Sequence, residues 1–285
     1  MTLTKISQQR SHGGTQGVYS HASEATQCDM TFAVYVPDHA PGTKLPVLTY
    51  LSGLTCTHAN VMEKGEYRAA CAKHGIILVA PDTSPRGKSV GGDDVPDTSA
   101  DEWDFGTGAG FYLDATQEPW ATNYRMRSYI EDELPAVIAQ NFPVDTERCS
   151  IFGHSMGGHG ALTVALRNPD RFRSVSAFAP IAAPMQVERR REVFARYLGS
   201  DESAMRPYDA VALIEDGARL PELLVDQGTA DEFLEWLGPE KLEAACQAAG
   251  IPLTLRMQEG YDHGYFFIST FMADHIAWHA DRLKA

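Results

Sequence analysis

Gly153-His-Ser-Met-Gly157 sets a serine between glycines, after a short apolar run at residues 149–152 and before helix-forming residues 158–167. Strand, G-x-S-x-G and helix in that order is the context of a nucleophile elbow. A serine on so sharp a turn sits in a strained backbone conformation and lifts its hydroxyl clear of the sheet edge. Gly153, Gly157 and Gly158 let the strand and helix pass closely. The helix beginning just after Ser155 turns its free N–H groups and positive end toward the reacting atom. The chemistry this suits is attack of a hydroxyl on an acyl carbon.

That attack needs a base to take the proton and a carboxylate to orient the base. On such a fold the chain order is Ser, then Asp or Glu, then His. Downstream of Ser155 stand His159, His263, His275 and His279. His159 lies within the elbow helix, facing away from its own serine. His275 and His279 have the i, i+4 spacing of a metal pair but lack the glutamate of H-E-x-x-H, so they read as surface or satisfied histidines. His263 occupies Glu259-Gly-Tyr-Asp-His-Gly-Tyr265, a turn between the last strand and the last helix, where a base can reach the elbow. Asp226-Gln-Gly-Thr-Ala-Asp231 offers two acids. Asp226 lies inside a strand and suits a structural hydrogen bond. Asp231 lies past the strand end and is preferred, while Asp262 is too near His263 in sequence to bond its ring well.

A tetrahedral intermediate also needs two N–H donors. Met156, directly after the nucleophile, supplies one, and Leu54, in the glycine-containing loop after a strand ending at Leu51, supplies the other. Cys56 lies two residues further on. A thiol at the mouth of the site, facing a helix N-terminus that favours thiolate, is expected to be modifiable without being catalytic. The alternative is a small buried apolar residue.

The elements that must hold these groups follow from the apolar pattern. Leu45-Pro-Val-Leu-Thr-Tyr-Leu51 and Ile76-Ile-Leu-Val-Ala80 have the continuous apolar character of strands buried on both faces. Residues 27–36 form an earlier antiparallel strand, and residues 174–179, 223–227 and 253–257 form later ones. Residues 67–74 end a helix capped by Gly75, and Tyr129, Ile130, Leu134, Val137 and Ile138 recur at helical spacing. Residues 83–122 make a long loop carrying Trp103, Phe105, Phe111, Tyr112 and Trp120, either a packed excursion or a substrate-facing one. Residues 187–220 read as a charged, helical outer insertion. The last helix shows a core-facing stripe of Phe266, Phe267, Phe271, Ile276 and Trp278. The alternation predicts one α/β domain over residues 1–285. Its mostly parallel central sheet has helices on both faces, with functional groups at the carboxyl ends of the strands.

With 24 Lys and Arg against 38 Asp and Glu, the formal charge is −14. That argues against a nucleic-acid or acidic-lipid surface, whereas an anionic small molecule needs only a local basic group. No stretch approaches eighteen consecutive apolar residues, so no membrane span is expected, and the first ten residues hold no signal-peptide core. Five scattered cysteines fit neither a disulfide framework nor a zinc site, which points to reduced thiols in the cytoplasm.

Longer blocks add a family resemblance. Leu51-Ser-Gly-Leu-Thr-Cys-Thr57, Trp103-Asp-Phe-Gly-Thr-Gly-Ala-Gly-Phe-Tyr112, Gly153-His-Ser-Met-Gly-Gly-His-Gly160, Asp226-Gln-Gly-Thr-Ala-Asp231 and Tyr261-Asp-His-Gly-Tyr-Phe-Phe-Ile268 together resemble the S-formylglutathione hydrolase, or esterase D, family over most of the chain. The resemblance implies an α/β-hydrolase fold and a serine thioesterase of formaldehyde detoxification, acting on a glutathione thioester. It assigns Ser155 as nucleophile, Asp231 and His263 as its partners, and Leu54 and Met156 as oxyanion donors. No metal or cofactor is implied, and a homodimer is one assembly it admits. The family often has serine at the position of Gly264, a departure expected to touch loop packing rather than chemistry. Arg86, Lys88, Arg125 and Arg127 are candidate partners for the glutathione carboxylates, against a solvated basic surface. A broad carboxylesterase or acyltransferase of the same fold would share the triad. A non-catalytic binding protein would have no need of the full set.

Overall fold

A computed structural model describes residues 2–99 and 102–284. Its strands are β1 Thr4–Ser11, β2 Gly14–Ala22, β3 Asp29–Pro37, β4 Leu45–Leu51, β5 Ile77–Pro81, β6 Val144–His154, β7 Val175–Phe178, β8 Leu223–Gly228 and β9 Leu253–Gln258. They form one sheet in the order β1-β2-β3-β5-β4-β6-β7-β8-β9. The pairings β1–β2, β2–β3 and β3–β5 are antiparallel. Every pairing from β5 through β4, β6, β7 and β8 to β9 is parallel. The mostly parallel α/β sheet expected from the pattern is the one observed. β4 and β5 are buried along almost their whole length, which is why they read as unbroken apolar runs. Among the described residues no helix is long and apolar enough to cross a membrane.

β1 and β2 have no counterpart in the sequence reading. β1 is an edge strand, Thr-Lys-Ile-Ser-Gln-Gln-Arg-Ser, with mostly exposed side chains, and even Ile6 is 57% exposed. No apolar alternation marks such a strand, because neither of its faces is buried.

Within the long segment 83–122, residues 104–115 are packed while most of the described residues 86–99 stay exposed or half-buried. Phe105, Phe111, Tyr112 and Trp120 are core residues, and only Trp103 among its five aromatics remains substantially exposed. The segment closes on helix Glu188–Leu198. Phe105 and Trp120 lie 4.3 and 5.8 Å from the Tyr197 ring. The Tyr197 hydroxyl accepts from the Gly106 N–H and donates to the Ala109 carbonyl. Residues 187–220 are helical as read, but their first helix packs inward against this segment. Arg190, Val193, Phe194, Tyr197 and Leu198 form the buried face of that helix.

The last helix, Tyr265–Leu283, corrects two expectations. Phe267 and Ile276 are buried, but Phe266 is 86% exposed and Trp278 is only partly covered, so the stripe is narrower than read. His275 and His279 are fully buried. The Ser176 hydroxyl lies 2.8 Å from both His275 Nδ1 and His279 Nε2, and the Ser174 hydroxyl lies 2.7 Å from His279 Nδ1. They are satisfied core histidines that tie the helix to β7, and of the two readings the surface one fails.

Candidate active site

β6 runs out at His154, and Ser155 takes φ 56°, ψ −117°. A side-chain-bearing residue in that region is strained by about 1–3 kcal/mol and persists only where its surroundings hold it. Here the Ser155 N–H donates to the Phe178 carbonyl at 2.9 Å, and the Ser155 carbonyl accepts from His159 N–H at 2.9 Å and Ile181 N–H at 3.3 Å. The helix that follows, Met156–Arg167, begins immediately at Met156. It passes so close to β4 that a Cβ on Gly157 would sit 1.9 Å from the Leu51 carbonyl oxygen. That contact explains the second glycine of the motif: the crossing leaves no room for any side chain.

β8 and β9 position the other two groups. His263 Nδ1 lies 2.6 Å from Asp231 Oδ2. Asp231 Oδ2 also accepts from the Gln227 amide at 2.9 Å, and Oδ1 accepts from the Phe233 N–H at 2.8 Å. Burial alone would raise the Asp231 carboxyl. The hydrogen bond and charge of His263, with the Phe233 and Gln227 donors, outweigh it and hold the group below its ordinary value. Asp231 is thus an anion that fixes the His263 ring by one nitrogen and leaves the other for a substrate proton. The rival acids are occupied elsewhere. Asp226 is held by Arg256 Nη2 at 2.6 Å and faces His275 Nε2 at 3.3 Å, while Asp262 accepts from the Gly264 N–H at 2.9 Å. A Cβ on Gly264 would meet Asp262 Oδ1 at 3.2 Å, so a serine there would press on the Asp262 carboxylate of the same turn.

Ser155 and His263 line one cavity of about 310 Å³, together with Leu54, Cys56, His154, Trp103, Arg190, Trp236 and Tyr265 among others. On the loop after β4, the Thr55 N–H donates to the Gly108 carbonyl and the Cys56 N–H to the Gly53 carbonyl. Among the described residues the Leu54 N–H has no acceptor, as an oxyanion donor requires. Arg86 Nη2 and the Thr83 hydroxyl both donate to the Cys56 carbonyl, and Tyr112 donates to the Ser52 carbonyl, so the loop is braced from behind. Met156 is buried at the helix start, its sulfur accepting the Phe111 N–H at 3.3 Å.

Several expectations change at this cavity. Arg86 pairs with Asp82, Lys88 with Asp94, and Arg125 and Arg127 with Asp114, and none of the four lines the cavity. The arginine that does is Arg190, which no motif singles out. The Cys56 thiol is pushed up by burial, only partly offset by Lys64, Tyr265 and Arg86, so the thiolate-favouring environment expected there is not present. His154 is a further cavity residue outside the sequence reading. Its ring centroid lies 4.5 Å from that of His263, and burial together with His263 holds it well below the ordinary histidine range, hence neutral. Among the described residues no group of three His, Cys, Asp or Glu is arranged to hold a metal ion.

The Esterase family model matches residues 23–278. An S-formylglutathione hydrolase of Mus musculus is 52% identical over 289 residues, covering all of both chains. One from Paracoccus denitrificans (strain Pd 1222) is 52% identical over 285 residues, covering 99% of this chain and 100% of that one. This chain belongs to the S-formylglutathione hydrolase family. The solved structure of an S-formylglutathione hydrolase from Agrobacterium tumefaciens superposes with a TM-score of 0.94 at 58% identity, covering 98% of this chain and 99% of that one. Members of the family are hydrolases, and so is this chain. The match extends through every segment that contributes to the cavity.

Proposed function

We propose that this chain hydrolyses S-formylglutathione to glutathione and formate through a formyl-serine intermediate. The carrying observation is the 2.6 Å Asp231–His263 bond on the wall of a cavity shared with Ser155. The full-length likeness to S-formylglutathione hydrolases supplies the thioester. His263 takes the Ser155 proton as the hydroxyl oxygen attacks the formyl carbon. The oxyanion forms against the Leu54 and Met156 N–H groups at the positive end of the elbow helix. Collapse breaks the carbon–sulfur bond, and the His263 imidazolium returns its proton to the departing thiolate. Water, deprotonated by His263, then attacks the formyl ester; His263 returns that proton to Ser155, and formic acid leaves and gives its own proton to solvent to become formate. Atoms and charges balance with no redox partner. The cytoplasm, where glutathione keeps thiols reduced, is the compartment this reading asks for. The test is stoichiometric: with S-formylglutathione, formate and free thiol should appear one for one as the thioester disappears. A chain that leaves that substrate intact refutes the reading.

Cys56 belongs to this reading as a point of access and not as a reacting group. Because burial disfavours its thiolate, alkylation should be slow at neutral pH and accelerate as the pH rises. An adduct in the cavity displaces the loop that carries Leu54, so activity should fall with modification and substrate should protect. Cys56→Ser should keep most activity and resist the reagent. Equal inactivation of both proteins, followed by residual activity against time, assigns the sensitivity to another cysteine.

A further inference from the structure

Among the described residues lining the catalytic cavity, Arg190 carries the only fixed positive charge. Its side chain is 6% exposed, and a buried charge is costly unless it is paired. Its carboxylate partner is shared unequally. Asp104 is gripped by Arg189 through two bonds, Nε to Oδ2 at 3.0 Å and Nη2 to Oδ1 at 2.6 Å. Arg190 has a single contact with it, Nη1 to Oδ2 at 3.3 Å. Among the described residues the nearby acids bring no second partner: Glu102 is paired with Arg196 at 2.9 Å, and Glu192 lies against Arg189 at 3.5 Å. The rest of the Arg190 surroundings is aromatic, with Phe111 at 5.7 Å and Trp103 at 6.0 Å from its guanidinium carbon. Rings of this kind hold a cation in place without neutralising it. Trp103 leans toward Phe233 at 6.4 Å, and Phe233 meets the His263 ring at 5.1 Å. One aromatic wall therefore runs from the catalytic histidine to an under-compensated guanidinium at the same cavity.

We infer that Arg190 selects the substrate by taking a carboxylate of the thiol half of the thioester. A guanidinium fits a carboxylate as a planar fork, and its unused N–H groups are the donors such a partner needs. The chain as a whole carries −14, so an anionic substrate meets overall repulsion, and a fixed cation inside the cavity is what reverses the local field. The four basic residues suggested by the sequence do not serve, because each is already paired outside the cavity. Arg190 is a binding residue in this account, and Asp104 with Arg189 positions it.

This inference rests on the proposed thioesterase reading, and its test keeps the two apart. The kcat/KM of the wild type is measured on S-formylglutathione, on its diethyl ester with both carboxylates blocked, and on 4-nitrophenyl acetate. The same three are measured for Arg190→Gln and Arg190→Lys. Blocking the carboxylates should cost the wild type about 10- to 100-fold, the range of a lost charge-assisted hydrogen bond, mostly through KM. In Arg190→Gln the ratio of S-formylglutathione to aryl-ester kcat/KM should fall by a similar factor, and free and blocked thioesters should become alike. Arg190→Lys should recover part of the ratio and raised salt should erode it in the wild type. Ratios within one variant are insensitive to the fraction folded. Equal losses on all three substrates would make Arg190 structural and overturn the inference. So would a wild type indifferent to blocking. A wild type inactive on S-formylglutathione would sink the functional reading itself.

Discussion

Ser155→Ala is expected to lower turnover of S-formylglutathione by about 10⁶, the scale seen when a serine hydrolase loses its nucleophile. The substitution deletes the oxygen that forms the acyl-enzyme and leaves the rest of the cavity in place. Residual catalysis of about 10³–10⁴ over water is expected from the oxyanion donors and from binding. The fold should survive, because the strained backbone at this position is held by Phe178, His159 and Ile181 through main-chain groups that alanine retains. Labelling by a serine-directed fluorophosphonate should vanish along with turnover, while the Tm stays near the wild-type value. Turnover near that of the wild type in a folded Ser155→Ala protein would remove the mechanism entirely.

Asp231→Asn should cost about 10⁴ in kcat. Asparagine keeps the shape and can still meet the Phe233 N–H, but its amide favours the wrong tautomer of the His263 ring. The companion substitution Asp226→Asn separates catalysis from stability. Asp226 neutralises Arg256 and faces His275, so its loss should lower the Tm while turnover per folded molecule stays close to wild type. Greater catalytic damage from Asp226→Asn in a folded protein would show the acid to be misassigned. The Asp231 carboxyl also sets a pH dependence. Its folded value is depressed below the unfolded one of about 3.9, so its stabilisation is complete above roughly pH 4. That stabilisation is lost as the pH falls through the lower folded value. Denaturation midpoints followed by acid titration should lose this component in Asp231→Asn.

The elements of the candidate site were legible because their signals are local. The Gly153-His-Ser-Met-Gly157 turn, the apolar run of β4 and the positions of Asp231 and His263 just past strand ends each follow from short stretches of sequence. What the sequence hid depends on packing between distant segments. β1 is exposed on both faces and carries no apolar period. The aromatics of residues 83–122 admit both a packed and a substrate-facing reading, and only the fold divides them, burying Phe105 and Trp120 against Tyr197 while Trp103 lines the cavity. Arg190 sits in an arginine run, Arg189-Arg-Arg191, that reads as a solvated helix face. Only the tertiary fold turns one of those three inward to the cavity. The Cys56 thiol shows the reverse error. Proximity to a helix N-terminus suggested thiolate, and burial by neighbours far along the chain outweighs it.

The central claim is that the chain is a thioesterase for S-formylglutathione, and relative kcat/KM tests it most directly. The measurement compares S-formylglutathione with S-lactoylglutathione and 4-nitrophenyl acetate at one pH and ionic strength. The account predicts that S-formylglutathione leads S-lactoylglutathione by at least about 10- to 200-fold, the discrimination available to a pocket that must refuse a larger acyl group. It also predicts a lead over the aryl ester, whose leaving group carries no carboxylate. An aryl ester turned over as well as or better than S-formylglutathione would contradict it and make the protein a general carboxylesterase.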